Sequence, residues 1–241
     1  MKLLHLYHDI MNLYGDYANI VAMESLLKKS GHDVEVCKRS LGDDVKLSDY
    51  DFIYIGSGTE RNQKVVLKDI MRFGDDLRKC IDSGKVILMT GNSFEMLGKS
   101  VTDSSGKAFE GLGIFTFTAV EQNKTRQTGD AIFTMEGSDK KLVGFINKCS
   151  SISGIEAPLF GVEMGLPDND NVSTEGIRKN NFFGTHLTGP VLMKNPYFLI
   201  YMASLIPGTD SSRFSADLLP HETAGYEVTL SELTKRIGEK I

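Results

Sequence analysis

The sequence predicts a three-layer α/β protein whose mostly parallel sheet is covered by helices on both faces. Apolar segments such as DFIYI (51–55) and KVILMT (85–90) are typical of strands that are buried on both sides. Amphipathic segments at 17–30 and 63–82 separate these strands, as helical crossovers do in parallel sheets. The second half carries β-branched and aromatic runs without intervening helices, which predicts an antiparallel extension of the sheet.

In the first half, each predicted element follows from the spacing of its apolar residues. The helix predicted at 17–30 places Ile20, Met23 and Leu27 on one face, and Gly31 ends it. The remaining predicted elements of this half are strands at 2–7, 33–37, 51–55 and 85–90 and a helix at 63–82, which Gly84 ends.

The second half is predicted to be one continuous part of the same domain. Residues 108–147 carry the antiparallel strands, and no repeat or linker divides the chain. We therefore expect a single domain over residues 1–241, with residues 206–241 forming a C-terminal connector and helix. The other predicted elements are a polar loop at 165–181, a buried strand at 181–187, a helix at 196–206 and a final helix at 228–239.

Composition excludes several classes of function. The net charge is -5, and no concentrated basic stripe predicts nucleic-acid binding. No apolar run approaches the roughly 20 residues of a membrane-spanning helix. Cys37, Cys80 and Cys149 are odd in number, far apart and without a zinc-binding spacing, which favours reduced thiols in a cytoplasmic protein. The sequence predicts no metal and no cofactor.

Three loops at the carboxyl ends of predicted strands are candidates for a site: 8-HDIMNLYGDYAN-19, 56-GSGTERNQ-63 and 90-TGNS-93. The loop 56-GSGTERNQ-63 has glycines that let backbone N–H groups face an anion or an oxyanion, although a plain strand-to-helix turn remains the alternative. It matches neither a Walker loop nor a dinucleotide fingerprint. The turn 90-TGNS-93 has the form of an elbow that often carries a nucleophile, but Gly91 stands at its centre.

Two further side chains have both a functional and a structural interpretation. His186, inside the predicted strand of 183-FGTHLTGP-190, is either a packed histidine or a proton carrier. Cys149 is either an inert thiol or a nucleophile.

Several segments, taken in order, resemble the class I glutamine amidotransferases of the cobyric-acid-synthase type. Within that family they are most similar to the amidotransferase subunits of lipid II isoglutaminyl synthases. The segment 5-HLYHDIMNLYGDYANI-20 resembles HLYxxxMNxYGDxGNI, 56-GSGTERNQ-63 resembles GGGQDxEQ, and 183-FGTHLTGPVLMKN-195 resembles FGTYLHGPILPKN. The segments 94-FEMLGK-99, 106-GKAFEGLGI-114, 126-RQTGD-130 and 144-GFIN-147 also match. The resemblance implies a flavodoxin-like, three-layer class I amidotransferase fold.

The family mechanism implies a cysteine on the elbow that attacks glutamine and a histidine that transfers protons. The resemblance places Gly91 at the cysteine position and Thr188 at the histidine position. It also places Glu95 at the position of a glutamine that follows the elbow, and Gly58-Thr59 at a Gly-Gln pair. We therefore expect a subunit without cysteine-dependent glutaminase activity. Gly91→Cys with Thr188→His is expected to restore some of that activity.

Such a subunit is predicted to bind a small, glutamine-like amide or carboxylate, or to scaffold a Mur-ligase-like ATP-dependent partner in cell-wall or cobyric-acid-type amidation. Arg126 would contact an anionic group or a partner, or be a solvated loop residue. An alternative is an active amidotransferase or hydrolase in which Ser93, Thr90 or Cys149 acts with His186. A further alternative is a working glutaminase in which Cys149, rather than the residue at position 91, supplies the nucleophile at the elbow. The predicted ligand-binding residues are Gly56, Ser57, Gly58, Thr59, Asn92, Ser93, Glu95, Arg126 and His186.

Overall fold

The computed structural model describes residues 1–122 and 126–238. Its strands are β1 (Lys2–Leu6), β2 (Glu35–Arg39), β3 (Phe52–Ile55), β4 (Val86–Thr90), β5 (Ser100–Thr102), β6 (Ala108–Glu110), β7 (Thr118–Glu121), β8 (Gln127–Thr134), β9 (Leu142–Lys148), β10 (Ser150–Ser153), β11 (Pro158–Met164), β12 (Thr174–Lys179), β13 (Phe182–Thr185) and β14 (Leu187–Thr188). Its helices are α1 (Tyr17–Lys29), α2 (Glu60–Ile70), α3 (Gly74–Asp82), α4 (Val191–Lys194), α5 (Pro196–Ser204) and α6 (Pro220–Gly238).

The parallel half of the main sheet has the strand order β2-β1-β3-β4-β13. Strand β3 shows why this half is three layers thick. Phe52 and Tyr54 belong to the apolar core that includes residues of α1 and α5, whereas Ile53 and Ile55 belong to the core that includes residues of α2 and α3. Successive side chains of a strand point to opposite faces, so this strand buries both. The predicted α/β class and helical layers are confirmed.

Strands β3, β4 and β13 are neighbours and run in the same direction, so their carboxyl ends meet at one edge of the sheet. Ile55, Thr90 and Thr185 are the last residues of these strands. Ligand and catalytic sites of open α/β sheets lie at such an edge. A site is therefore expected among the segments that follow these three residues.

The antiparallel half continues from β13 in the order β13-β12-β11-β8-β9-β14. Only His186 separates β13 from β14, yet these two strands stand at opposite ends of this series. Two residues of extended chain span only about 7 Å. The series must therefore curl back on itself, in the manner of a barrel, and it closes at residues 185–187. We call residues 185–187 the junction.

Two predictions about the second half were wrong. The segment 165–181 is not all loop, because Thr174–Lys179 forms β12 between β11 and β13. The segment is too polar to be predicted as a strand. Its buried position 175 holds a glutamate, which accepts hydrogen bonds from Thr185 and His186. The strand predicted at 181–187 is not continuous, because it changes partners at His186.

Helix boundaries also differ from prediction at two places. The helix predicted at 63–82 is two helices, α2 and α3, which a 3₁₀ turn at Met71–Phe73 separates. Helix α6 begins at Pro220 rather than at 228, with proline in a first-turn position that needs no N–H donor. A small second sheet, β10-β7-β5-β6, was not predicted. Within the described ranges, no helix combines the length and the apolar character that crossing a bilayer requires.

Candidate functional site

The elbow at the end of β4 has the backbone of a nucleophile turn but no room for a side chain. Gly91 has a φ of +60°, a conformation that costs an L-residue strain and glycine little. A Cβ atom added at Gly91 would lie 2.3 Å from the Cβ atom of Ser57. That distance is far inside van der Waals contact, so Ser57 occupies the space into which a residue at position 91 would project.

Ser57 is held in this place by a buried carboxylate. Its N–H and its hydroxyl each donate to Oδ2 of Asp16, both at 2.6 Å, and the Thr90 hydroxyl donates to the same oxygen at 3.1 Å. Asp16 and Thr90 are fully buried. Because one carboxylate oxygen fixes both loops, Ser57 is not free to move away from Gly91.

The N–H groups predicted to cradle an oxyanion already have acceptors. Ser57 donates its N–H to Asp16, and Gly58 donates its N–H to Oδ1 of Asn92 at 3.0 Å. Gly56 packs so tightly that an added Cβ would lie 2.4 Å from the carbonyl oxygen of Met11. The loop is thus a packed contact between strands β3 and β4, rather than an open ring of donors.

The cavity between the elbow and the junction is small. Its volume is about 20 Å³, which is room for about one or two water molecules. A glutamine side chain does not fit in this space. The cavity brings together many predicted site residues with several that were not predicted: Tyr14, Ser57, Gly58, Glu60, Gly91, Asn92, Glu95, Glu121, Arg126, Asn147, Lys148, Cys149, Ser150 and His186.

Four predicted site residues do not line this cavity: Gly56, Thr59, Ser93 and Thr188. Thr59 caps α2 by accepting from the N–H of Asn62 at 3.1 Å. Thr188 donates its hydroxyl to the carbonyl oxygen of Phe145 at 3.0 Å. His186 lines the cavity and Thr188 does not, because the strand that would align their side chains breaks at His186.

Ser93 is not placed to replace a nucleophile. Its side chain is fully buried, and its hydroxyl donates to the carbonyl oxygens of Thr90 at 2.8 Å and Ile55 at 3.2 Å. A hydroxyl that is bound to two backbone carbonyls and hidden from the cavity does not meet a substrate. This geometry does not support a hydrolase built on Ser93 and His186.

Cys149 lines the cavity but is not activated. Its thiol donates to Oε1 of Glu60 at 3.2 Å. Burial, and then the Glu60 carboxylate, raise the pKa of Cys149 to about 12. Arg126 forms an ion pair with the same Glu60 oxygen and donates to Oδ1 of Asn147 at 3.0 Å. Arg126 therefore neutralises a residue of its own chain, and the cysteine beside it is a protonated thiol.

His186 is the most heavily charged point of the site. Its Nε2 lies 2.9 Å from Oε1 of Glu95, which also accepts the hydroxyl of Ser150. Gln63 donates to the other Glu95 oxygen at 2.7 Å. Burial lowers the pKa of His186, but the carboxylates of Asp168, Glu175 and Glu95 outweigh burial and raise it to about 10. His186 is therefore a buried ion-pair partner rather than a base poised near neutral pH.

Sequence reasoning missed two buried carboxylates beside His186. Glu175 accepts the N–H of His186 and the hydroxyl of Thr185, both at 2.6 Å. Its Oε1 lies 3.3 Å from Nδ1 of His186, and Oδ1 of Asp168 lies 3.6 Å from the same nitrogen. Both acids fell in the segment predicted as a polar loop. No local signal in that segment marks them as buried.

Comparison with known proteins agrees with this architecture. The family model for the CobB/CobQ-like glutamine amidotransferase domain matches residues 2–196 of this sequence. The GatD subunit of the glutamine-hydrolysing lipid II isoglutaminyl synthase of Streptococcus pneumoniae is 31% identical over 197 residues, 81% of this chain and 76% of that protein. The GatD subunit of Staphylococcus aureus is 31% identical over 195 residues, 81% of this chain and 79% of that protein.

A solved structure shows the same fold at low sequence identity. A glutamine amidotransferase crystal structure superposes with a TM-score of 0.55 at 14% identity, covering 85% of this chain and 98% of its own. This likeness confirms the predicted three-layer amidotransferase-like fold. Together, the family match over most of the chain and the two GatD relatives show that this protein belongs to the CobB/CobQ-like glutamine amidotransferase family.

Proposed function

We propose that this chain is a non-catalytic amidotransferase subunit, whose elbow no longer accommodates a nucleophile. The observation that carries the proposal is the contact between Gly91 and Ser57. Position 91 has no nucleophilic atom, and the space for one is filled by a serine that a buried aspartate holds in place.

Four of the departures from the family motifs occur as two pairs in contact, which supports a coordinated loss, whereas Thr59 and Thr188 stand apart from these pairs. The family's loop motif has glycine at the position of Ser57, and its elbow has cysteine at the position of Gly91. The family motifs likewise have glutamine at the position of Glu95 and tyrosine at that of His186. In this chain Glu95 and His186 form an ion pair at 2.9 Å. Each change is matched by its neighbour, so the altered site is well packed.

A scaffolding role fits the closed site better than binding of a glutamine-like ligand. The cavity holds about one or two water molecules, and the Arg126–Glu60 ion pair lies at its wall. The GatD relatives are named as subunits of synthases that act on lipid II. We extend this role to the present chain. It would scaffold a cytoplasmic, Mur-ligase-like, ATP-dependent partner that amidates a cell-wall precursor or a cobyric-acid-type substrate.

The test measures the nitrogen source of the complex. The chain is co-expressed and co-purified with a Mur-ligase-like protein of the same organism, and amide formation is measured with glutamine or with ammonium as the donor. The proposal predicts amidation with ammonium and no glutamate release from glutamine. An S. aureus GatD complex serves as the control for glutamine use. Glutamine-dependent amidation that needs this chain would overturn the proposal.

The restoration expected from Gly91→Cys with Thr188→His needs a correction. A cysteine at position 91 would collide with Ser57, and the side chain at position 188 is directed to the carbonyl oxygen of Phe145 rather than to the cavity. Ser57→Gly must accompany Gly91→Cys before any thioester chemistry is expected.

A further inference from the structure

At the junction, Asp168, Glu175 and His186 form a compact group that has no part in the proposed role as an amidotransferase-like subunit. We call these three residues the DEH cluster. One oxygen of each acid and one nitrogen of the histidine all lie within 4.8 Å of one another. All three residues are at least 98% buried. The group lies on the Nδ1 side of His186, opposite the Glu95 contact.

Several polar atoms of the cluster lack a hydrogen-bond partner. Both carboxylate oxygens of Asp168 and the Nδ1 atom of His186 are buried without one. The nearby Lys148 does not satisfy Asp168, since its ammonium group donates to the carbonyl oxygens of Pro167 and Asp168. Buried charged groups normally pair or coordinate a metal, because leaving them unsatisfied is costly. In the metal-free protein these atoms face one another as an ion pair without a hydrogen bond, and a bound cation would replace the proton between them.

The histidine is oriented as a metal ligand is. Its Nε2 is bound to the Glu95 carboxylate, so that Nδ1 faces the cluster, where a bound cation would displace the Nδ1 proton. Histidines that bind metals commonly donate their other ring N–H to a carboxylate in this way. The second oxygen of Glu175 is likewise fixed by the Thr185 hydroxyl.

The spacing of the donor atoms fits a small divalent cation. The Nδ1 atom of His186 is 3.3 Å from Glu175 Oε1 and 3.6 Å from Asp168 Oδ1. Four ligands placed tetrahedrally about 2.1 Å from a metal are about 3.4 Å apart. One nitrogen and two carboxylate oxygens are donors that zinc accepts.

We propose that the DEH cluster binds one divalent transition-metal cation of the zinc type, with Asp168, Glu175 and His186 as its protein ligands. The cation takes the Nδ1 lone pair of His186, and any proton on that atom is released to solvent. With Glu95 and Lys148 nearby, a divalent charge would balance the three buried carboxylates. The cation would tie the segment that contains Asp168 to the junction, which is a structural role.

The cluster borders a second cavity at Asp168. Asp168 also lines a surface cavity of about 50 Å³, whose other walls include Asn169, the exposed Asp170 and Cys149. Both carboxylate oxygens of Asp168 are nevertheless buried, so loading of the site needs a local opening of this segment.

The test is metal binding by the full chain after chelator treatment. Zinc is titrated by calorimetry, and cobalt is added as a spectroscopic probe. We expect one equivalent to bind with a higher unfolding temperature, and a cobalt spectrum without thiolate charge-transfer bands, because Cys149 is not a ligand. Asp168→Asn is expected to weaken zinc binding by on the order of 100-fold or more. Asp170→Asn, in the same loop but exposed, is the matched control and should bind as the wild type does.

Circular dichroism shows whether each variant folds, and Glu175→Gln replaces Asp168→Asn if the latter does not. No stoichiometric binding to the wild type would overturn the proposal. Equal affinity of Asp168→Asn and Asp170→Asn would do so as well, as would a cobalt spectrum dominated by thiolate. The cobalt spectrum needs only the wild type, so the proposal stays testable even if neither ligand variant folds.

Discussion

The elbow and the junction border the same small cavity, but different forces hold them. The elbow is closed by shape: Ser57 fills the space beside Gly91, and hydrogen bonds to Asp16 fix it there. The junction is held by charge: His186 is surrounded by the carboxylates of Glu95, Asp168 and Glu175. A region closed by packing leaves no room for an added side chain, whereas a region held by charge can exchange a proton for another cation.

The largest expected effect tests the charged side of this contrast. His186→Tyr removes the cation between three buried carboxylates and should lower the free energy of unfolding by about 3–5 kcal/mol. Adding Glu95→Gln, which supplies the family's residue at the neighbouring position, should recover at least about 1 kcal/mol, because the two residues are in contact. Urea denaturation of the wild type, the single variants and the double variant measures both values. Strict additivity would contradict a coupled pair.

The next largest effect tests whether Asp16 holds the packed elbow in place. Asp16→Asn weakens the three hydrogen bonds that converge on Oδ2 and should cost about 1.5–3 kcal/mol. Asp9→Asn is the matched control, since Asp9 is exposed and its side-chain partner is the Ser40 hydroxyl. Its free energy of unfolding should change by less than about 0.5 kcal/mol. Equal losses in the two variants would show that Asp16 does not anchor the elbow.

A smaller effect tests whether Cys149 is a hidden nucleophile. With a pKa of about 12, only about one Cys149 thiol in ten thousand is ionised at pH 8. Iodoacetamide labelling, mapped by peptide mass, should therefore be slow at pH 8 and rise with pH. Glu60→Gln removes the carboxylate that accepts from the thiol and should speed the labelling. Rapid, selective labelling of the wild type at pH 8, or fluorophosphonate labelling of Ser93, would revive the active-enzyme alternative.

The smallest effect concerns the wall of the cavity. Arg126 pairs with Glu60 while its side chain is 37% exposed, so Arg126→Ala should change the free energy of unfolding by no more than about 1 kcal/mol. Thermal unfolding of the variant beside the wild type measures this. A loss well beyond that value would mean that Arg126 is part of the packed side rather than a surface ion pair.

The same contrast explains how far the sequence could predict the structure. The apolar runs of β3 and β4 and the helical spacing of α1 are local signals, and they placed the parallel half and its carboxyl edge. The unusual positions Gly91, Thr188 and Glu95 could be found from motif register alone. These predictions depend on residues near each other in the chain.

The remaining features depend on residues that are distant in the chain. Nothing local shows that Ser57 fills the space at Gly91, because that contact needs β3 and β4 to lie side by side. The same holds for Glu175, whose burial in β12 requires pairing with β13. The break at His186 could not be predicted from the local sequence, because it is caused by the closure of the antiparallel half of the sheet.

The most direct test of the closed elbow is a double-mutant cycle between positions 57 and 91, with the free energy of unfolding as the measurement. In the wild-type background, Gly91→Cys should cost about 2–4 kcal/mol, from overpacking and from a side chain at positive φ. In the Ser57→Gly background, the cost should fall by at least about 1 kcal/mol, since only the backbone strain remains. An equal cost in the two backgrounds would contradict the claim that Ser57 occupies the place of the lost nucleophile.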